Sequence, residues 1–392
     1  MNKNIPAKLH VLTLTPFYPS NADEVSGCFI AESVRELERL GVSSTVIAVD
    51  SIYHRSREAK ANSPAQWIRY PQLPGNFGLS TAGGFLAARL FRKVQALYRR
   101  TPFHVIHAHA ALPCGHAAAI LSRRLGIPFI VTIHGLDVFN NCFEQGTAAR
   151  WRNQRSREVY RCANLVLCIS QKVQRLLNDG MSKKVATEVV YNGTNAELFC
   201  PAAASKDSPR ETAARILIVG NLLAGKGHEL LLKALAQLKE SHPEIECDMI
   251  GEGADRERFR QMAEQLGMAS QVHFRGRQNR ADVAEAMRQC TVFVLPSRYE
   301  GLGCVYLEAM ASGKVAIGCH GQGIDEIIRH GENGWLIPVD GLTELAEGLK
   351  TLLGNGSLRS RLGSAARETI LNGLTLSHQA EKLMSIYERA AR

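Results

Sequence analysis

The chain has 392 residues, 45% of them apolar, and a net charge of +10. That length exceeds one comfortable core and predicts two domains, while no apolar run approaches the roughly 18 to 20 residues that cross a bilayer. Ten cysteines without a CxxC pair, several in apolar segments such as RCANLVLCIS, speak against a disulfide framework; with an N-terminus that reads as a strand and not a signal peptide, they predict a cytoplasmic protein.

The excess charge is one-sided. Residues 1–200 carry 24 Lys and Arg against 13 Asp and Glu, +11, and residues 201–392 carry 23 against 24, −1. In chain order, KLHVLTLTPF reads as a strand. The polar loop after it reaches Gly27 just before a helix, CFIAESVRELERLG, an arrangement suited to backbone contact with an anion. SSTVIAVD is a second strand. The basic excess then concentrates between Arg55 and Arg100. There GGFLAARLFRKVQALYRR sets Phe85, Leu86, Leu90, Phe91, Val94, Leu97 and Tyr98 against Arg89, Arg92, Lys93, Arg99 and Arg100 at helical period. The plainer reading is a core-facing helix with a solvated basic face. The functional one is contact with an anionic membrane or a phosphorylated acceptor. Nucleic acid is not expected, since basic and aromatic residues are not interleaved in any known binding motif.

FHVIHAHA, PFIVTIHG and NLVLCIS continue as strands. His107 and His109 share a strand face, with His116 beyond, but no carboxylate or cysteine completes a ligand set, so no metal site is expected. His134 leaves a strand beside Gly135, with Asp137 nearby. A histidine there is more often structural, yet it can donate to a substrate hydroxyl or orient a reacting group. After YNGTNAELF, the Pro, Ala and Ser-rich residues 201–213 read as a linker. It separates a domain over 1–200 from a second over 214–375, and a last helix in 376–392 is free to pack on either.

Strand and helix alternate again from ARILIVGN through HELLLKALAQLKES, IECDMIGEG, ADRERFRQMAEQLG, VHFRGR, TVFVLPS, VAIGCH and GWLIPV. In GNLLAGKGHE, Gly220, Gly225 and Gly227 loosen a strand-to-helix turn, and Lys226 offers a point charge for a diphosphate. Gly227 stands where a P-loop needs a hydroxyl, which argues against a magnesium-dependent nucleotidase. In SRYEGLGCVYLEAMASG, Glu300 and Glu308 bracket a further strand-to-helix elbow whose helix N-terminus favours phosphate. The expected fold is α/β: two doubly wound Rossmann-like domains facing across a cleft, with ligands at the carboxyl ends of the strands.

Together, the Gly27 loop, HGLD, YNGTNAELF, GNLLAGKG, Glu300-x7-Glu308 with its PSRYEG lead-in and EAMASG exit, and GQGIDEIIRHGENGWLIPVDG resemble the retaining, nucleotide-sugar-dependent glycosyltransferases of family 4, which have the GT-B fold. The resemblance spans essentially the whole chain. It implies that Glu308 binds the donor ribose and that Glu300 stands near the sugar and the reacting centre. Backbone groups of Gly301, Leu302 and Gly303 would approach sugar and diphosphate, Lys226 would neutralise the departing diphosphate, Gly27 would lie against the same phosphates, and His134 would contact a sugar hydroxyl. It implies a nucleotide-sugar donor, a lipid-linked or polysaccharide acceptor, and no cofactor or metal. Two positions depart from it. Asn221 stands where the family often has arginine, so that either Arg298 or another basic group compensates or phosphate affinity is lower, and Lys314 replaces a proline. A nucleotide-sugar epimerase or hydrolase on the same fold, or a membrane-surface scaffold without turnover, are the alternatives; the intact Glu300, Glu308, Lys226 and His134 argue against the scaffold.

Overall fold

The computed structural model describes residues 8–20, 26–53, 63–73, 78–135, 137–139, 146–202 and 214–392. They form two compact units, Met1–Asn192 with Leu376–Arg392, and Gly193–Thr375.

In the first unit the described strands are β1 (His10–Thr15), β2 (Ser43–Ser51), β3 (Gln66–Tyr70), β4 (Val105–His109), β5 (Phe129–Ile133), β6 (Leu165–Cys168) and β7 (Thr187–Val189). They pair in parallel in the order β3-β2-β1-β4-β5-β6-β7. Every residue of β4 and β5 is buried, as central parallel strands covered on both faces require. The helices are α1 (Cys28–Arg39), α2 (Gly78–Arg100), α3 (His116–Leu125), α4 (Thr147–Cys162) and α5 (Gln171–Gly180). β3 and β7 are the edge strands; β7 has three partly buried residues and little apolar signal, while β3 runs from partly buried Gln66 through exposed Arg69 to buried Tyr70.

The second unit repeats the plan. Its strands β8 (Arg215–Val219), β9 (Glu246–Ile250), β10 (Val272–Gly276), β11 (Val292–Val294), β12 (Val315–Cys319) and β13 (Trp335–Ile337) run parallel in the order β10-β9-β8-β11-β12-β13. Helices α6 (His228–Leu238), α7 (Arg256–Gln265), α8 (Arg280–Gln289), α9 (Cys304–Ala311), α10 (Leu342–Gly354) and α11 (Gly356–Leu371) connect them. The last helix, α12 (Leu376–Ala391), packs on the first unit. Ala380, Leu383, Ile386 and Tyr387 form its buried stripe, joining Leu9, Val11, Val105, Ile130 and Leu167 in one core.

The units divide at Asn192/Gly193, ahead of the boundary expected at 200, and most of the expected linker, residues 203–213, lies outside the described residues. The segment up to Cys200 belongs to the second unit because that unit satisfies its backbone: Thr194 N donates to Leu374 O, Arg288 to Leu198 O and Arg367 to Phe199 O, while the Phe199 ring is wholly buried.

Each sheet reverses its strand order once, between β1 and β4 and between β8 and β11. At such a switch point the loops leaving the two adjacent strands diverge and open a crevice at their carboxyl ends. The loop after β8 carries Lys226 and the loop after β11 carries Glu300. The register that sets Val292 beside Ile216 therefore brings together two loops far apart in sequence.

Candidate active site

In the second unit Lys226 closes a short 3-10 turn, Ala224–Lys226, and its Nζ lies 2.6 Å from Glu300 Oε2. Both side chains are mostly covered, at 25% and 15% exposure, so the pair is less screened than a surface ion pair. Gly227 is obligatory here: it has φ 80°, and a Cβ would stand 2.2 Å from Pro296 O. This close approach presses the Lys226 turn onto the strand that leads to Glu300. On the other side Glu300 is fixed through its backbone, its N–H donating to Gln322 Oε1 at 2.9 Å and its carbonyl accepting from Gly323 N at 3.1 Å. Gly301 and Leu302 are buried in the same elbow, and Gly303 is the N-cap of α9, with no side chain capping that end. α6 likewise begins at Gly227 without a side-chain cap. The ammonium and the N-terminal N–H groups of α9 thus give one end of this sheet a positive potential beside a carboxylate.

Glu308 lies one helical turn into α9 and is 3% exposed. Arg280 Nη1 donates to its Oε1, and Oε2 is buried without a hydrogen-bond partner. Asn221 is exposed beside the Lys226 turn. Arg298 is ion-paired with Asp340 at 2.7 Å on the wall of a groove of about 350 Å³, which Ala224 and Gly227 of the Lys226 turn line together with Glu229 and Arg258. Lys314, at the departure after the EAMASG glycine, is partly buried, and its N–H donates to Ala309 O, closing the C-terminal end of α9.

In the first unit Gly27 is the N-cap of α1 with φ 79°, and a Cβ would stand 2.4 Å from Tyr18 N. That contact holds the start of α1 against Phe17 and Tyr18. Phe17 and Phe29 then cover the ring of His134 edge-on, with centroids 5.8 and 5.1 Å away. The N–H of His134 donates to Asp137 Oδ1 at 2.7 Å, and its Nε2 lies 3.1 Å from His109 Nδ1. The ring of His134 stacks on that of His109, centroids 5.3 Å apart, and His107 lies tilted against His109 at 4.3 Å and holds Tyr387 OH and Thr132 Oγ1, each at 2.7 Å. Both nitrogens of His107 are thus spoken for. Beside the stack a cavity of about 20 Å³, room for one water, is lined by Ser33, His109, His134, Asn192 and Gln379. Among the described residues no three His, Cys, Asp or Glu side chains gather as metal ligands.

Burial lowers His107 to about 3 and His134 to about 4 and drives His109 well down, so the stack is neutral at physiological pH. Burial raises Asp137 to about 7. For the histidines the unfolded chain binds more protons between about pH 4 and 6.5, so stability is lost as pH falls through that window; for Asp137 the folded chain holds the proton, so stability is lost as pH rises from about 4 to 7. Three histidines outweigh one carboxylate. The melting temperature is expected to climb from pH 4.5 to 6.5, and more steeply in Asp137→Asn; a fall over that range in a thermal-shift series contradicts the assignment.

Arg280 and Gln322 were not singled out from the sequence, and His109 was weighed there only as a metal ligand, not as the partner of His134. Arg280 stands 28 residues before Glu308, at a spacing no motif marks.

A sequence model of the family described as Glycosyl transferases group 1 matches residues 202–369, and one of Glycosyltransferase Family 4 matches residues 28–198. An uncharacterized glycosyltransferase of Methanocaldococcus jannaschii is 28% identical over 266 residues, 67% of this chain and 69% of that one. The lipopolysaccharide core biosynthesis glycosyltransferase LpsE of Rhizobium meliloti is 26% identical over 213 residues, 54% of this chain and 60% of its own. Among solved structures, sucrose-phosphate synthase from Thermosynechococcus elongatus has a TM-score of 0.80 at 20% identity, over 97% of this chain and 99% of that one. Anabaena HepE, in complex with UDP and glucose, has a TM-score of 0.74 at 19% identity, over 96% and 99%. The two parallel sheets are those of the GT-B fold, and the chain is a glycosyltransferase of the family 4, GT-B type.

Proposed function

We propose that the protein transfers a sugar, with retention of anomeric configuration and without a metal, from a nucleoside-diphosphate sugar to a hydroxyl of a lipid-linked saccharide or polysaccharide. The observation that carries this reading is the Lys226–Glu300 pair beside the uncapped start of α9. Departure of a nucleoside diphosphate builds negative charge on phosphate and positive charge on the anomeric carbon. An ammonium and helix N–H groups stabilise the first, and a carboxylate the second. Because Glu300 is already held by Gln322, Gly323 and Lys226, little reorganisation is needed as charge develops.

The orphaned Oε2 of Glu308 supports the donor half of the reading. A buried carboxylate oxygen without a hydrogen bond is costly, and a ribose hydroxyl would satisfy it. HepE was solved with UDP and glucose, which favours a nucleotide-sugar donor here as well. The acceptor class follows the lipopolysaccharide role named for LpsE. In the first unit, the neutral His134 would offer a ring nitrogen to a sugar hydroxyl; with Nε2 engaged by His109, that nitrogen is Nδ1, which has no partner. Gly27, which fixes the start of α1 beside Phe17 and Phe29, would help shape the same surface. Transfer is tested by following nucleoside-diphosphate release with and without a saccharide acceptor. Release that depends on acceptor supports it, and equal release or donor epimerisation without acceptor favours a hydrolase or epimerase.

The basic helix α2 supports a membrane-surface acceptor. Its apolar face, Leu86, Leu90 and Val94, is buried, while Arg89, Arg92, Lys93, Arg99 and Arg100 are exposed and make no ion pair among the described residues. Phe85 is 44% exposed on the same helix. Such a face is attracted to anionic lipid and released by salt. In vesicle sedimentation, binding to anionic vesicles at low salt is expected to fall several-fold in the double variant Arg92→Glu, Lys93→Glu. No binding by the unaltered protein at low salt removes membrane association.

A further inference from the structure

The contacts around Arg280 assign a role to a segment that the transfer reading leaves unused. Arg280 is the first residue of α8, just inside the Asn279 cap, whose Oδ1 accepts from Asp282 N at 2.9 Å. Its guanidinium lies 4.7 Å over the ring of Phe199 and donates to Glu308 Oε1. The ring is not free to move. Asn195 Oδ1 accepts from Glu197 N and Leu198 N, both at 3.1 Å, and Arg288 and Arg367 hold the carbonyls of Leu198 and Phe199. A planar cation on a fixed aromatic face has its plane set for it.

A guanidinium can grip both oxygens of a carboxylate at once. Here it holds Oε1 alone, and Oε2 stays buried with no partner. A packing role for the pair does not explain that, because satisfying both oxygens would stabilise the fold more. We propose that Arg280, held flat by Phe199, is a positioning residue that fixes Glu308 so that Oε2 is kept for the ribose hydroxyls of the donor. The AELF segment ahead of the linker thereby sets the preference for ribonucleotides over deoxyribonucleotides. This rests on the reading of Glu308 as the ribose ligand.

The test is calorimetric titration of the full chain with UDP, GDP and ADP, each against its 2′-deoxy form. The unaltered protein is expected to favour the ribonucleotide of the base it accepts by about tenfold or more. In Arg280→Met and Phe199→Leu the ribonucleotide weakens while the deoxynucleotide binds as before, and the ratio falls toward one. Arg280→Lys, which keeps the charge and so protects the fold, is expected to give an intermediate ratio. Equal weakening of both nucleotides, with the ratio unchanged, is the signature of a merely structural role and overturns the inference. Glu308→Gln separates the two levels. If it abolishes discrimination while the Arg280 and Phe199 variants retain it, the inference fails and the ribose reading stands; if it retains discrimination, the ribose reading fails and takes the inference with it.

Discussion

Glu300→Gln is expected to slow transfer by about a hundredfold or more while nucleoside-diphosphate binding changes little. The substitution keeps the shape of the side chain, and the Glu300 N–H and carbonyl that bond Gln322 and Gly323 are untouched, so the elbow after β11 should keep its form. What is lost is one negative charge. In the unliganded protein that charge faces Lys226 at 2.6 Å, and during transfer it would face the positive charge growing on the anomeric carbon. Removing it therefore costs the transition state more than the bound ground state, and the loss should appear in kcat more than in KM. Loss of the partner carboxylate also leaves the Lys226 ammonium wholly available to phosphate, so nucleoside-diphosphate affinity should hold or rise slightly. Near-normal turnover in this variant removes the carboxylate from the reaction.

Lys226→Ala should do the reverse. A charge-assisted hydrogen bond is worth about 1.5–3 kcal/mol, and each 1.4 kcal/mol is about tenfold in affinity, so nucleoside-diphosphate binding should weaken by roughly ten- to a hundredfold. The salt dependence of binding should also become shallower, since one of the charges that attract the phosphates is gone. Glu300 is left 15% exposed without its ammonium, which destabilises the elbow and lowers the melting temperature. An unchanged dissociation constant excludes Lys226 from the diphosphate site, and the melting temperature shows whether the pair is chiefly structural.

The positions of the loops were legible in the sequence because their signals are local. Apolar runs such as RILIV and TVFVLPS end in glycine or a polar residue and are followed at once by helix-forming sequence, which marks both ends of an elbow. Edge strands such as β7, with three half-buried residues, carry no such signal. Nor do contacts between distant segments. Lys226 and Glu300 are 74 residues apart and meet only because the strand order reverses at β8 and β11. Arg280, Phe199 and Glu308 come from three separate elements, and each alone reads as an ordinary arginine, aromatic or acid. The apolar stripe of α12 is visible at helical spacing, but the strands it covers are some 200 to 380 residues earlier, so its partner could not be read. His134 shows the same limit from the other side. Its place at the end of β5 is local, whereas its engagement by His109 and its cover by Phe17 and Phe29 depend on three other elements.

The most direct measurement of the central claim is the anomeric configuration of the first-formed product, followed by proton NMR while the enzyme turns over its α-linked nucleoside-diphosphate sugar with a saccharide acceptor in metal-free buffer. Retaining transfer through the Lys226–Glu300 site predicts an α-linked product, formed in step with nucleoside diphosphate. A β-linked product, or free sugar released at the same rate without acceptor, would contradict it.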